Sequence, residues 1–188
     1  MPESVSSSRR AGFGLALLCV ILLLPAASGA KVFYTRSEAL ELAFPEADRV
    51  EDETLALTDE QAERIESLSK SALESRLVRI YRGYRGAELL GYAFIDVHNV
   101  RTLPEAFLVV LSPEGSVRSL RVLAFHEPLE YMPTDRWYDQ FENASGDRAL
   151  RLGRDVHGIV GATLSARATT RGVRRALALY EVLLQEPR

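Results

Sequence analysis

The spacing of apolar positions changes along the chain, and each change marks an element. Between Ser37 and Phe44 they fall at helical spacing and stop before Pro45, which predicts a short helix. Thr58, with Gln61 three residues on, reads as a capping box opening a second helix. There Ala62, Ile65 and Leu68, with Leu73 beyond, keep a period near 3.6. From Arg76 the period becomes two. Leu77, Arg79 and Tyr81 face one way and Val78, Ile80 and Arg82 the other, as in a half-buried strand.

Gly83-Tyr84-Arg85-Gly86 then reads as a turn, and Leu89 to Val97 as a second strand. Ala106 to Leu111 is so rich in valine and leucine that burial on both faces is expected. Pro113-Glu114-Gly115 is a hairpin signal that returns the chain as a fourth strand, Val117 to Phe125. Pro133 to Phe141 predicts a short helix carrying Trp137 and Tyr138. A polar loop then leads through Asp155 to a long helix from Thr163 to Leu184, with Val173, Ala176, Leu177, Tyr180 and Leu184 on one face.

Strands that follow one another without intervening helices predict an antiparallel meander in place of βαβ units. The expected fold class is α+β: a single domain over residues 31–188, mainly antiparallel sheet with flanking helices and a long C-terminal helix, behind an N-terminal signal or anchor. A chain of 188 residues supports one such core.

Residues 1–30 have a different composition. Arg9 and Arg10 precede an apolar run from Gly14 to Leu24, Pro25 interrupts it, and Ala26-Ala27-Ser28-Gly29-Ala30 supplies small residues for cleavage after Ala30. Read from Ala11 to Ala30, the same segment reaches the roughly 20 residues that a membrane span needs. Either a signal peptide or a membrane anchor is therefore expected, with the domain periplasmic or otherwise extracytoplasmic. Cys19, the only cysteine, lies in this segment. A chain starting at Lys31 would have no disulfide, thiolate metal site, cysteine-ligated cluster or c-type haem. The net charge of −3 and the lack of a basic stripe exclude a nucleic-acid partner, since Arg171, Arg174 and Arg175 read as one solvated helix face.

The densest chemical signal is His157-Gly158-Ile159-Val160-Gly161-Ala162-Thr163-Leu164-Ser165. Gly161 and Ala162 leave the backbone bare beside the Thr163 hydroxyl, at the start of a helix whose first N–H groups lack partners. This arrangement suits a phosphate-bearing ligand. The plain alternative is that Thr163 only caps the helix.

Gly161-Ala162-Thr163-Leu164-Ser165, together with Tyr81-Arg82-Gly83, Gly91-Tyr92-Ala93 and Phe125-His126-Glu127-Pro128, resembles the FMN-binding domain family. That family includes the periplasmic flavin subunits of the Rnf electron-transport complex and of the sodium-translocating NADH:quinone reductase. The resemblance spans most of residues 31–188 and is sharp only at Gly-Ala-Thr. It implies an exported electron-carrying flavoprotein, with FMN joined through a phosphoester to Thr163 by a separate flavin transferase that uses FAD and magnesium and releases AMP.

Gly161, Ala162, Leu164 and Ser165 would complete the phosphate site, with His126 and Glu127 near the ring or ribityl chain. For His126 and Glu127 the other reading is a strand-end pair bonded into the structure. Tyr131, Trp137 and Tyr138 either border the flavin or belong to the core. A membrane or extracytoplasmic redox protein would be the electron partner. The family pattern has an aspartate six residues before the threonine and a serine or threonine three before it, where this chain has His157 and Val160. These departures bear on transferase recognition and favour the alternative of a module binding FMN or another phosphorylated ligand without a covalent bond. A hydrolase using Thr163 or Ser165, with His157 as base, is the third reading. No catalytic residue and no metal ligand is assigned.

Overall fold

Two capping boxes set the first helices. Thr35 accepts from the Glu38 N–H (3.3 Å) while the Glu38 carboxylate accepts from the Thr35 N–H (2.7 Å), opening α1 (Arg36–Ala43). Thr58 and Gln61 make the same exchange (3.2 and 3.0 Å) at the start of α2 (Asp59–Ser69). The computed structural model describes residues 31–185, so the predicted N-terminal segment lies outside the described residues.

The remaining elements are β1 (Lys31–Val32), β2 (Arg49–Ala56), β3 (Leu77–Arg85), β4 (Glu88–Asn99), β5 (Pro104–Leu111), β6 (Val117–Phe125), the single turn α3 (Asp135–Tyr138) and α4 (Thr163–Leu183). The strands form one antiparallel sheet in the order β1-β6-β5-β4-β3-β2, so β2 to β6 make a meander and β1 adds to its β6 edge. The class is α+β in a single domain, as expected.

β5 is buried on both faces. Phe107, Val109 and Leu111 join Ile80, Phe94, Ile65 of α2 and Val173 of α4 in the main core. The alternate residues Leu108 and Val110 join Tyr81, Ala93 and Leu123 under Ala39, Ala43 and Phe44 at the α1 end. The sheet is thus covered by α2 and α4 on one side and by α1 on the other.

Two expectations are corrected, and one strand has no counterpart in the sequence reading. β3 does not turn at Gly83-Tyr84-Arg85-Gly86; it runs on to Arg85, and the chain reverses at Gly86-Ala87. Gly83 serves packing, because a Cβ there would lie 2.4 Å from Cγ of the Phe44 ring. β2 was not legible. It is an exposed edge strand of sequence RVEDETLA, with no apolar alternation, whose charges pair across to β3 (Arg82–Glu53, 2.8 Å; Arg79–Asp52, 3.8 Å). The predicted helix at Pro133–Phe141 is only α3 followed by a 3₁₀ turn over Asp139–Phe141.

α4 lies along the sheet. Near its C-terminus the Tyr180 hydroxyl donates to the Pro113 carbonyl (2.8 Å) in the β5–β6 hairpin. Midway, Arg175 donates to both Asp96 oxygens (2.7 and 2.9 Å), and His98 bridges Asp96 (2.7 Å) and the fully buried Glu105 (3.2 Å). Burial alone would lower the His98 pKa, but the two carboxylates outweigh it and push it up to about 9. The helix N-terminus therefore lies at the opposite end of the sheet, where β4 hands over to β5.

Candidate functional site

Residues Ile159 to Ala162 form a tight turn closed by Ala162 N–H donating to the Ile159 carbonyl (3.2 Å). Gly161 occupies its third position with φ +83, a left-handed conformation that suits glycine. Val160 stands fully exposed at the tip. The turn delivers the chain into α4, whose first hydrogen bond runs from Ala166 N to Ala162 O (3.1 Å). The N–H groups of Thr163, Leu164 and Ser165 precede that bond, and no side chain caps them. Ala162 is the N-cap, so the reading of Thr163 as a helix cap is wrong. Thr163 is the first helical residue, exposed, and its hydroxyl donates to the Ile159 carbonyl at 3.3 Å.

This helix start opens onto a cleft of about 280 Å³ lined by Gly161, Ala162, Thr163, Leu164 and Ser165, together with Val100, Arg101, Glu127 and Tyr131. Of the residues assigned to the FMN site from the resemblance (Gly161, Ala162, Thr163, Leu164, Ser165, His126 and Glu127), His126 stays outside the lining. Its ring is turned to the Pro104 carbonyl (Nδ1···O, 3.0 Å), as a strand-end residue bonded into the sheet.

Ser165 is the informative member. It is 1% exposed, and its Oγ has no hydrogen-bond partner among the described residues. A buried hydroxyl without a partner is costly, and a ligand that hydrogen-bonds to it removes that cost. The two hydroxyls, the free N–H groups and the positive end of the α4 dipole form a set of donors that suits a phosphate. The exposed Arg101 adds a cation at the rim.

Glu127 has a different task. Its buried carboxylate accepts from the N–H groups of Thr102 (2.8 Å), Leu103 (3.0 Å) and Arg101 (3.2 Å), and these bonds hold its pKa below the ordinary value against the opposing effect of burial. It pins the β4–β5 loop that forms one wall of the cleft and so places Arg101. Arg101 left no mark in the sequence, since a single arginine in a connecting loop follows no period. Tyr131 lines the cleft. Trp137 and Tyr138 do not: Trp137 packs edge-on against Tyr138 and Phe141 and donates from Nε1 to the His157 carbonyl (2.8 Å).

His157 is exposed, uses its backbone to tie the loop to Gln140 and Trp137, and does not line the cleft. Neither hydroxyl is hydrogen-bonded to an imidazole or carboxylate among the described residues, which leaves the hydrolase reading without a placed base. Asp155 is committed to Arg151, accepting from its N and Nε at 2.9 Å each. Two stretches of the family resemblance face each other across β3 and β4, with Tyr81 opposite Ala93, Arg82 opposite Tyr92 and Gly83 opposite Gly91. Phe125-His126-Glu127-Pro128 lies at the cleft end. Compared with known proteins, the chain matches no family model and no curated relative.

Proposed function

We propose that the chain is an exported flavoprotein that carries electrons through FMN attached to Thr163 by a phosphoester. The observation that supports this most is the cleft at the start of α4. An exposed threonine hydroxyl lies there beside free helix N–H groups, and Ser165 of the lining carries a buried hydroxyl without a partner. In the attachment step the Thr163 oxygen forms a bond to the flavin-side phosphorus of FAD. AMP leaves and the hydroxyl proton is lost, under a separate flavin transferase with magnesium. The flavin supplies the redox chemistry, and this chain's residues hold it. Ser165 and the N–H groups of residues 163–165 bind the phosphate oxygens, Arg101 offsets their charge, and Tyr131 and Leu164 border the group beyond. A cleft of this volume falls just short of the roughly 300–1,000 Å³ of a full ligand pocket. It would have room for the phosphate and the adjoining chain. Electrons then pass to a membrane or extracytoplasmic redox partner.

The test is the intact mass of the exported chain co-expressed with a flavin transferase, for wild type and Thr163→Ala. A gain of FMN less water in wild type, absent from the variant, is expected. An unmodified wild type, under conditions that modify a standard substrate, overturns the covalent reading. The same partnerless Ser165 would serve a non-covalent module for FMN or another phosphorylated ligand. That second reading would then lead, and yellow colour lost on denaturing filtration would mark it.

A further inference from the structure

The ladder between β3 and β4 stops partway. It runs from Arg85–Glu88 to Tyr81–Ala93 and no further, although β3 still pairs with β2 as far as Leu77–Ala56 and β4 with β5 as far as Asn99–Pro104. Residues 77–80 and 94–97 would supply the next four rungs. Instead, residues 77–79 and 94–97 line a cavity of about 340 Å³, with Arg175, Ala176 and Leu179 of α4 behind it. Alternation along each strand tells which backbone groups face this fork. The Arg76 and Tyr84 carbonyls accept from Leu57 and Asp48 on the β2 side, so Leu77 and Arg79 turn their backbone groups the other way. Pro104, opposite Asn99, gives its carbonyl to His126, so Asn99, Val97 and Ile95 turn theirs away from β5. The Leu77 N–H is taken by Ser75 Oγ at 3.0 Å. The Leu77 carbonyl and both backbone groups of Arg79, Ile95 and Val97 are left without a ladder partner. At the mouth of the fork Leu77 and Val97 stand 64% and 56% exposed. Of the lining charges, Arg79 pairs with Asp52 and Arg175 with Asp96, while Glu74 makes no salt bridge among the described residues and acts on Arg175 at longer range.

We propose that this fork is the docking site for an extended segment of a partner protein, which enters it as an added strand. Donors and acceptors that alternate along two strand edges are matched by another stretch of extended backbone, and not by a helix or a small molecule. The walls define the segment's side chains. Leu77, Ile95 and Val97 lie on the α1 side of the sheet and call for aliphatic residues at alternate positions. Asp96 and Arg175 lie on the α4 side and call for small polar residues between them. Glu74 at the rim calls for a lysine or arginine at the segment's end. The outer edge of the sheet is guarded against such addition by the charges of β2, and the fork carries no such guard. β4 continues from Val97 in the fork to Val100 in the wall of the cleft at the start of α4, roughly 10 Å along the chain. A segment docked in the fork thus holds its protein next to that cleft, whichever ligand the cleft binds.

The test is amide hydrogen exchange, read residue by residue by NMR on the full chain in detergent micelles. It is run with and without the peptide acetyl-Lys-Val-Thr-Val-Thr-Val-Lys-amide. In the free protein the N–H groups of Arg79, Ile95 and Val97 are expected to exchange fast, and those of Tyr81 and Ala93 on the closed ladder slowly. Peptide at millimolar concentration is expected to slow the first three several-fold. Glu74→Lys, an exposed substitution, is expected to weaken binding of this peptide several-fold and to strengthen that of the same peptide ending in glutamates. Slow exchange of Arg79, Ile95 and Val97 in the free protein overturns the proposal, because the fork is then closed on itself. No protection of these three by the peptide overturns it too, as does equal affinity of Glu74→Lys and wild type for both peptides. Protection that appears without peptide and grows with protein concentration also overturns it, and marks a second copy of the chain as the occupant.

Discussion

Ser165 and Glu127 are both buried polar side chains in the cleft wall, and they differ in whether their needs are met. Glu127 has three N–H donors; the Ser165 hydroxyl has none. Ser165→Ala is therefore expected to leave the stability of the free protein unchanged or slightly raised. It should weaken non-covalent FMN binding by about tenfold, the worth of one hydrogen bond to a charged group. Titration calorimetry without transferase measures it. Glu127→Gln is expected to lower the melting temperature by loosening the β4–β5 loop. Because the folded-state pKa of Glu127 is depressed, its contribution is present above the unfolded value of 4.5 and is lost as pH falls through the folded value. Wild type and Glu127→Gln should accordingly converge in stability on acidification, as read by urea denaturation across that range.

The two capped helices and α4 hold the sheet at different costs. Thr58→Ala removes one acceptor from the first turn of α2 and should cost about 1 kcal/mol in urea denaturation. Gly172→Ala should cost more, because a Cβ there would lie 2.3 Å from the Phe107 ring and 2.6 Å from Asp96 Oδ2, forcing α4 off the sheet. α1, α2 and α4 were legible because their apolar residues keep one period, β5 because it is an apolar run buried on both faces, and β6 because a hairpin signal precedes it. β2 was not, since its partner strand supplies its hydrogen bonds and its side chains face water. Gly83 misled for a related reason. A glycine spared for a ring packed above it has the same letter as a glycine in a turn. At the site, local sequence located Gly161 to Ser165 at the start of α4. Arg101 and Val100 come from a distant loop that only the folded sheet brings near.

Across the whole molecule, the Asp96–His98–Glu105–Arg175 cluster ties β4, β5 and α4 together with two acids and two bases. Its balance depends on a protonated His98. With the folded pKa raised from 6.5 to about 9, its stabilisation is complete below 6.5 and is lost as pH rises through 9. Denaturation midpoints should fall across that interval in wild type and stay flatter in His98→Gln, with the acidic partners Asp96 and Glu105 and the cation Arg175 unchanged. α4 also fixes a distance. Its 21 residues place the C-terminus about 32 Å from the helix start. A purification tag, surface tether or fusion partner attached after Gln185 therefore leaves the Thr163 end open to a modifying enzyme, whereas the same cargo joined before Lys31 would crowd it. For anyone handling this chain at the bench, its two ends are not equivalent.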